Sequence, residues 1–487
     1  MYSNSDIVNT PAIPSDRGND SDPEKLNNNE KFAHDTDHEG PDIKPAAHEE
    51  ISGGIFDGEG GKSFRNMSRW DTLFALVTNQ FGLGALGLPS AVRVLGLIPG
   101  IITIIGVSIL TWYTGLELHQ FYCRHQHVVN VVEMVKVVGG RPWEIIVGIG
   151  LLIQVIMTCA STVVTISIAF NAISGHSMCT VGFIGFATLV CYALCVPRTV
   201  KFVSQSGIPC FVSIIGAALT VMISLGLSSP GKAPEGWKPD IVLVASPDFR
   251  DVFNAVLKII YAFAGNHAFV SYMAEMKDPV RDFPFALRWL VTVSAIFYLI
   301  ISIAIYCLAG EYTVSPALGS APVVAAKVAY GLVLPAILTA GLANGHIGVK
   351  YMFVGIMRRL KATDQITANT TKAWVVWISC VTGFWIISFI LSNAIPVFDS
   401  IVSISSATTY AWFTYGISAV LWFSWNKGRY FDGWKQICLF TLNVLLVGFA
   451  FFLNGAGLWS SITELLDIFA SDSGVRGSFS CGDNSSL

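Results

Sequence analysis

The sequence predicts an all-α membrane protein of eleven transmembrane helices whose first and sixth are broken in mid-span. Three observations carry that prediction. Eleven apolar stretches of bilayer-crossing length run from Trp70 to about Ala456, and hydrophobic residues make up 53% of the 487 against only 13% charged. Two stretches are interrupted by small and polar residues: Thr78-Asn79-Gln80-Phe81-Gly82-Leu83-Gly84-Ala85-Leu86-Gly87-Leu88-Pro89 and Phe263-Ala264-Gly265-Asn266-His267-Ala268. Irregular backbone survives inside hydrocarbon only where it is buried in protein or lines a cavity, because unpaired amides and carbonyls are costly there. The two breaks therefore mark a site between two halves of five spans each, the arrangement of a secondary transporter.

The spans read, in order, 71–94, 97–122, 143–170, 180–197, 206–228, 252–276, 284–308, 328–357, 373–394, 396–425 and 434–456. Three regions follow. Residues 1–69 form an acidic cytoplasmic tail, residues 70–456 the membrane domain, and residues 457–487 a short extracytoplasmic tail. Residues 1–70 hold fourteen acidic and seven basic side chains, are rich in Asn, Asp, Ser, Pro and Gly, and lack an apolar core, so they read as disordered and not as a signal peptide. Eighteen Lys or Arg flank the faces that become cytoplasmic if the N-terminus is inside, against six on the other side. The positive-inside rule then sets the orientation, and an odd span count puts the C-terminus outside. Five spans per half invert the second half relative to the first.

The ten cysteines show no CxxC or Cys/His ligand spacing, which argues against a structural metal and thiol redox chemistry. Cys179 and Cys481 alone fall on the outer side, where a disulfide is allowed. Asn484-Ser485-Ser486 is a glycosylation sequon on that side, whereas Asn66-Met67-Ser68 and Asn369-Thr370-Thr371 face the cytoplasm.

Gly82, Gly84 and Gly87 match the GxGxxG spacing, but Pro89 follows at once and the next acid is Glu117, so the nucleotide reading fails on context. The physics of the motif transfers: glycine admits a ligand to the backbone, and free amides at the start of a half-helix near Gly84 suit a carboxylate. Close helix packing is the plainer reading of the same glycines. At the second break, unwound carbonyls near Gly265-Asn266 suit an ammonium group. Together the breaks suit a zwitterion, and the commonest small one is an α-amino acid. The candidate substrate-binding residues are Asn79, Gly82, Leu83, Gly84, Ala85, Tyr261, Phe263, Ala264, Gly265 and Asn266. The third span adds Gln154 and Thr158, at the head of a stripe with Ser161 and Thr165 that equally suits helix packing.

These residues resemble the amino acid/auxin permease family. The match lies in Asn79-x-x-Gly82-x-Gly84-x-Leu86-x-Leu88-Pro89-x-Ala91 with Gly96, and in Phe263-Ala264-Gly265-Asn266-His267 followed by Glu275-Met276-Lys277-Asp278-Pro279. A third stretch, from Gly341-Leu342-Ala343-Asn344 through Lys350-Tyr351 to Ile395-Pro396-Val397-Phe398 and Trp412-Phe413-Thr414-Tyr415-Gly416, is similar to its fungal neutral amino acid permease branch. The resemblance covers about residues 70–456. It implies the five-plus-five inverted-repeat fold of the bacterial leucine transporter plus an eleventh helix, and proton-driven import of amino acids. One departure is Gly265-Asn266, where many members carry a Glu-Gly-like pair.

Coupling needs a group that changes charge. No Asp or Glu reads as lying near a midplane, so the candidates are His267, His346 and Lys350, with Lys258 near the outer end of its span. His346 and Lys350 are one helical turn apart, and Lys350 also suits snorkelling. Glu117 and His119, near the cytoplasmic end of the second span and on different faces, read as interfacial. The expected cargo is neutral, aliphatic or aromatic, because no acid or base sits beside either break. The energy source is the proton gradient and not sodium, with no cofactor and no metal. Partners are the amino acid and the lipid bilayer, with no nucleic acid; by family analogy, tail lysines Lys25, Lys31, Lys44 and Lys62 serve a ubiquitin-ligase adaptor. The expected location is the plasma membrane. Rival readings are a vacuolar carrier and an amino acid sensor of the same fold; a channel lacks its charge ring and an enzyme its nucleophile and base.

Overall fold

The computed structural model describes residues 65–485 apart from 66, 83, 199–206, 235, 367, 396 and 471–476. Nearly all of the acidic tail, Leu83 of the first break and the sequon residue Asn66 thus lie outside the described residues. Among the described residues there is no strand; an isolated bridge joins Met67 to Met276.

The chain opens with α1 (Arg69–Gln80) and α2 (Gly84–Leu95), which replace one predicted span by two short helices. A capping box starts α1, with Ser68 and Asp71 satisfying each other's amides. α3 (Leu97–Arg124), α4 (Val131–Ser174), α5 (Thr180–Cys195) and α6 (Gly207–Leu227) follow. The sixth predicted span is likewise split, into α7 (Phe249–Phe263) and α8 (Asn266–Glu275). Next come α9 (Pro279–Ala309), α10 (Val323–Arg359) and α11 (Thr371–Ala394). α12 (Phe398–Ser405) runs through π turns at Ser406–Tyr410 and Trp412–Gly416 into α13 (Ile417–Trp425). α14 (Trp434–Phe452) passes a third π turn, Leu453–Gly457, into α15 (Leu458–Ala470).

Among the described residues, seven helices are long and apolar enough to cross a membrane. The other four predicted stretches differ for identifiable reasons: two are broken at the site, α5 has 16 residues, and the tenth is interrupted by π turns. Helix also continues to Ala470, beyond residue 456 where the sequence reading ends the last span. α4 begins twelve residues before the predicted 143, and it bends at Gly140, whose φ of 69° and ψ of −164° only glycine adopts without strain.

Burial is inverted relative to a water-soluble bundle. On α3, Ile98, Ile102, Ile105, Ile109 and Trp112 point outward, while Ser108, Thr111, Thr114 and Glu117 are buried. The same holds for α4, where Ile145, Ile149 and Ile153 are exposed and Gln154, Thr158, Ser161 and Thr165 are not. Polar groups turned inward and aliphatic ones outward are what hydrocarbon demands. α10 packs along α4 and α6, α2 along α7, and α9 along α3, so the two broken helices lie beside each other at the centre.

Cys179 and Cys481 are disulfide-bonded, as the sequence allowed. Asn484 does not present a free amide: its Nδ2 donates to Ser167 Oγ (2.9 Å) and its Oδ1 accepts from Asn171 Nδ2 (2.6 Å). The bond and these contacts tie residues 481–485 to the ends of α4 and α5.

Candidate functional site

Both breaks open on one enclosed cavity. It is lined by Asn79, Gln80 and Gly84 from the first break, Tyr261, Ala264 and His267 from the second, Thr158 from α4, Ala340 and Asn344 from α10, and Tyr410 from the first π turn. The space open to the centre of a water is about 20 Å³, room for roughly one water and less than any amino acid needs. This is a closed form of the site.

Local sequence explains how the backbone stops and restarts. α1 ends with Phe81 N donating to Val77 O at 2.8 Å, and Gly82 then passes Ala340 so closely that an added Cβ would lie 2.4 Å from the Ala340 Cβ. α2 starts at Gly84, whose own missing Cβ would lie 2.4 Å from Ala262 Cα. The plainer reading of this glycine, close packing of α2 on α7, is what this contact shows, and Gly84 also lines the cavity. α7 ends with Ala264 N on Tyr261 O (3.3 Å) and Gly265 N on Phe263 O (2.9 Å), and α8 restarts at Asn266.

One residue joins the breaks. The Tyr298 hydroxyl of α9 lies 3.1 Å from Gln80 O and 3.0 Å from Ala262 O, so it donates to carbonyls that each break leaves unpaired. Gln80 is further held by Nε2 donating to Ser294 Oγ at 2.9 Å, leaving its buried Oε1 without a partner.

A second network crosses the cavity itself. Asn344 Nδ2 donates to Asn79 Oδ1 (3.2 Å) and to Ala340 O (2.9 Å), while Asn344 Oδ1 meets His267 Nε2 at 3.3 Å. Thr158 Oγ1 and Tyr410 Oη are 2.7 Å apart, and the Tyr410 ring stands edge-on to Tyr261 and His267. Among the described residues, no Asp, Glu, Lys or Arg lines the cavity.

Of the predicted site residues, Asn79, Gly84, Tyr261, Ala264, Thr158 and His267 meet at the cavity. Gly82, Ala85, Phe263, Gly265, Asn266 and Gln154 lie in or beside the breaks without lining it. Asn266 turns away, with Nδ2 donating to Thr114 Oγ1 (2.9 Å) and Thr414 O (3.2 Å). His346 is buried against Trp377, and Lys350, one turn on, reaches out to Glu275 at 3.6 Å, so neither lines the cavity. Gln80, Ala340, Asn344 and Tyr410 line the cavity outside the predicted set; for Asn344 and Tyr410 the signal was a polar residue at helical spacing in a span not yet known to face the breaks.

Different contacts lie toward the two ends. Toward the disulfide end, Lys258 Nζ and Asp399 Oδ2 are 2.6 Å apart, with Ser315 Oγ donating to Asp399 Oδ1 at 2.5 Å. Lys258 is thus the inner half of an ion pair and does not stand alone at a span end. At the opposite end, Met67 N donates to Glu275 O and Lys277 N to Met67 O, both at 3.1 Å.

A profile of the transmembrane amino acid transporter protein family matches residues 65–463. Among curated proteins, the chain is 29% identical over 433 residues to a transmembrane transporter of Fusarium pseudograminearum, covering 87% of this chain and 89% of the relative. It is 28% identical over 433 residues to the N amino acid transport system protein of Neurospora crassa, covering 86% and 90%. Among solved structures it is similar to MhsT in complex with L-phenylalanine, at 14% identity and a TM-score of 0.47, covering 82% of this chain and 99% of that one.

Proposed function

Because this chain belongs to the transmembrane amino acid transporter family, we propose that it imports neutral amino acids together with protons by alternating access around the cavity between its two broken helices. The observation that carries the reading is the lining. A zwitterion entering it meets amides at the start of α2, amide oxygens of Asn79 and Asn344, and otherwise hydroxyls, aromatic rings and small side chains. With no fixed charge on the wall, a charged side chain would be desolvated without a partner, whereas an aliphatic or aromatic one would stack on Tyr261 and Tyr410. The Neurospora crassa relative, by its description, belongs to an amino acid transport system, in keeping with that cargo.

The closed form supports alternating access. An ion pair closes one end and a backbone bridge the other, and a substrate fits only after one of them parts. On this reading the chain crosses the membrane eleven times as five plus five inverted spans and one more, with the disulfide end outside and the plasma membrane as its place. His267, on the cavity wall and hydrogen-bonded to Asn344, is the better placed of the two histidines for sensing substrate.

The test is uptake of labelled phenylalanine and leucine by cells lacking their own permeases, at acid and at mildly alkaline external pH, with and without a protonophore. Uptake that rises in acid and collapses with the protonophore is the expected result. Uptake indifferent to both, from protein shown to be at the surface, would remove proton coupling; competition by lysine or glutamate as strong as by leucine would remove the neutral-substrate reading.

A further inference from the structure

The second predicted span holds a carboxyl that the proposed mechanism has not used. Glu117 of α3 is 4% exposed, and the polar groups beside its carboxyl, the Tyr113 hydroxyl and the Asn443 amide, are neutral. It stands seven residues, about 10 Å along the helix, from Arg124 at the helix end, and is shut off from the surface there. α14 covers it. Asn443, fully buried on that helix, donates from Nδ2 to Tyr113 Oη at 2.8 Å, one turn before Glu117, and its own Oδ1 has no partner.

No cation answers this acid: none of the ion pairs among the described residues involves Glu117. The titratable groups on the elements packed around it are few. Tyr113 faces it from its own helix; His119 turns to α9, where Nε2 lies 3.1 Å from Pro279 O and 3.2 Å from Val280 O; Tyr415 of the second π turn is buried. Arg124 stacks on Trp425 at the helix end, and Arg288 of α9 and Lys435 of α14 point to the surface.

The site also connects to the cavity. His267 lines it, the next-door Asn266 donates to Thr114 Oγ1, and Thr114 lies one turn from Glu117 on α3. Along this seam between α3, α8, the second π turn and α14, Asn266 Oδ1 and Thr414 Oγ1 are buried without a partner, and Thr111, Tyr415 and Glu117 add further buried polar groups. Polar groups are costly in hydrocarbon, and a run of them from the cavity wall to Glu117 suits a route for water or protons.

We propose that Glu117 is the proton-binding group of the transport cycle. Its carboxylate takes one proton when the seam is hydrated, crosses the closed form as the neutral acid, and returns the proton when water reaches it from the other side. An ionised carboxylate buried without a cation would oppose closure, so protonation licenses the closed form and the proton gradient drives the cycle. The inference rests on the proton-symport reading above and gives it a residue.

The experiment compares wild type and Glu117→Gln in proteoliposomes loaded with or without an imposed proton gradient. Glutamine mimics the neutral acid, so the variant should lose accumulation against a gradient and the acid stimulation of uptake, yet keep exchange of labelled for unlabelled leucine. Accumulation and acid stimulation as in wild type would overturn the assignment. A wild type that ignores the gradient would instead sink the symport reading itself. A second measurement needs no variant: dicyclohexylcarbodiimide reacts with protonated buried carboxyls, and mass spectrometry of treated wild type should find the adduct on Glu117, with uptake lost and both effects suppressed at alkaline pH. Inactivation without an adduct at Glu117, or an adduct that leaves acid-driven uptake intact, would overturn it.

Discussion

The two closures of the cavity are built from different physics. Toward the disulfide end, Lys258 and Asp399 meet at 2.6 Å with side chains 10% and 24% exposed, and Ser315 adds a hydrogen bond. At the opposite end, Lys350 and Glu275 are 3.6 Å apart with side chains 43% and 32% exposed, and the closure rests on two backbone hydrogen bonds through Met67. Removing one partner of a buried pair strands the other charge at a cost of several kcal/mol, whereas a wet pair at long distance contributes little. One end therefore closes by charge and desolvation, the other by main-chain pairing. The difference predicts that side-chain substitutions will act strongly on one closure and weakly on the other.

The largest effect is expected from halving the buried pair. Asp399→Ala leaves the Lys258 ammonium in a buried place and strips Ser315 of its acceptor, at a cost of about 3 kcal/mol or more. Lys258→Ala leaves Asp399 with the Ser315 hydroxyl alone. Both variants should melt earlier in detergent and lose most uptake, while the exchanged pair, Lys258→Asp with Asp399→Lys, recovers part of each. Single variants no worse than a Lys350 variant would break the comparison.

An intermediate effect should come from the residue between the closures. Tyr298→Phe removes the donor shared by Gln80 O and Ala262 O and leaves two carbonyls short in hydrocarbon, about 1–3 kcal/mol. Because the hydroxyl ties one break to the other, the loss should slow influx and efflux alike. A defect confined to one direction would assign Tyr298 to a single closure and sharpen the contrast.

Tyr298 also shows where sequence reading stops. The breaks were legible because glycines, amides and a histidine inside apolar runs violate what hydrocarbon tolerates, and Thr158 was legible as one step of a hydroxyl stripe. Which other helix faces those breaks was not. Asn344, which bridges Asn79 and His267, sits in a span whose apolar and polar residues give no hint of its neighbour. Tyr410 projects into the cavity from a π turn, a winding that the Ser403-to-Tyr410 run signals only by its polarity. The burial of Glu117 was not legible for a related reason: its sequence neighbours do not say that Asn443 of α14 packs beside it. Glycine spacing at Gly84 identified a close approach without saying whether the partner was ligand or helix, and the Ala262 backbone answers that α7 is one of them.

The smallest effect is expected at the main-chain closure. Lys350→Ala removes a 3.6 Å pair whose side chains are both more than three-tenths exposed, in a setting where such pairs contribute roughly 0–1 kcal/mol and salt screens what there is. Melting should shift little, and raised salt should reproduce in wild type whatever shift the variant shows. Backbone pairing is the alternative holder of this end, and it makes its own demand: Met67→Pro deletes the amide that donates to Glu275 O while keeping an apolar residue in place. That variant should favour the form open at this end, read as faster thiol labelling of a cysteine introduced at Ala340 on the cavity wall by a membrane-impermeant reagent applied from that side. Lys350→Ala should leave the labelling rate near wild type. If the lysine variant opens the end and the proline variant does not, then charge governs both closures and the distinction between them falls.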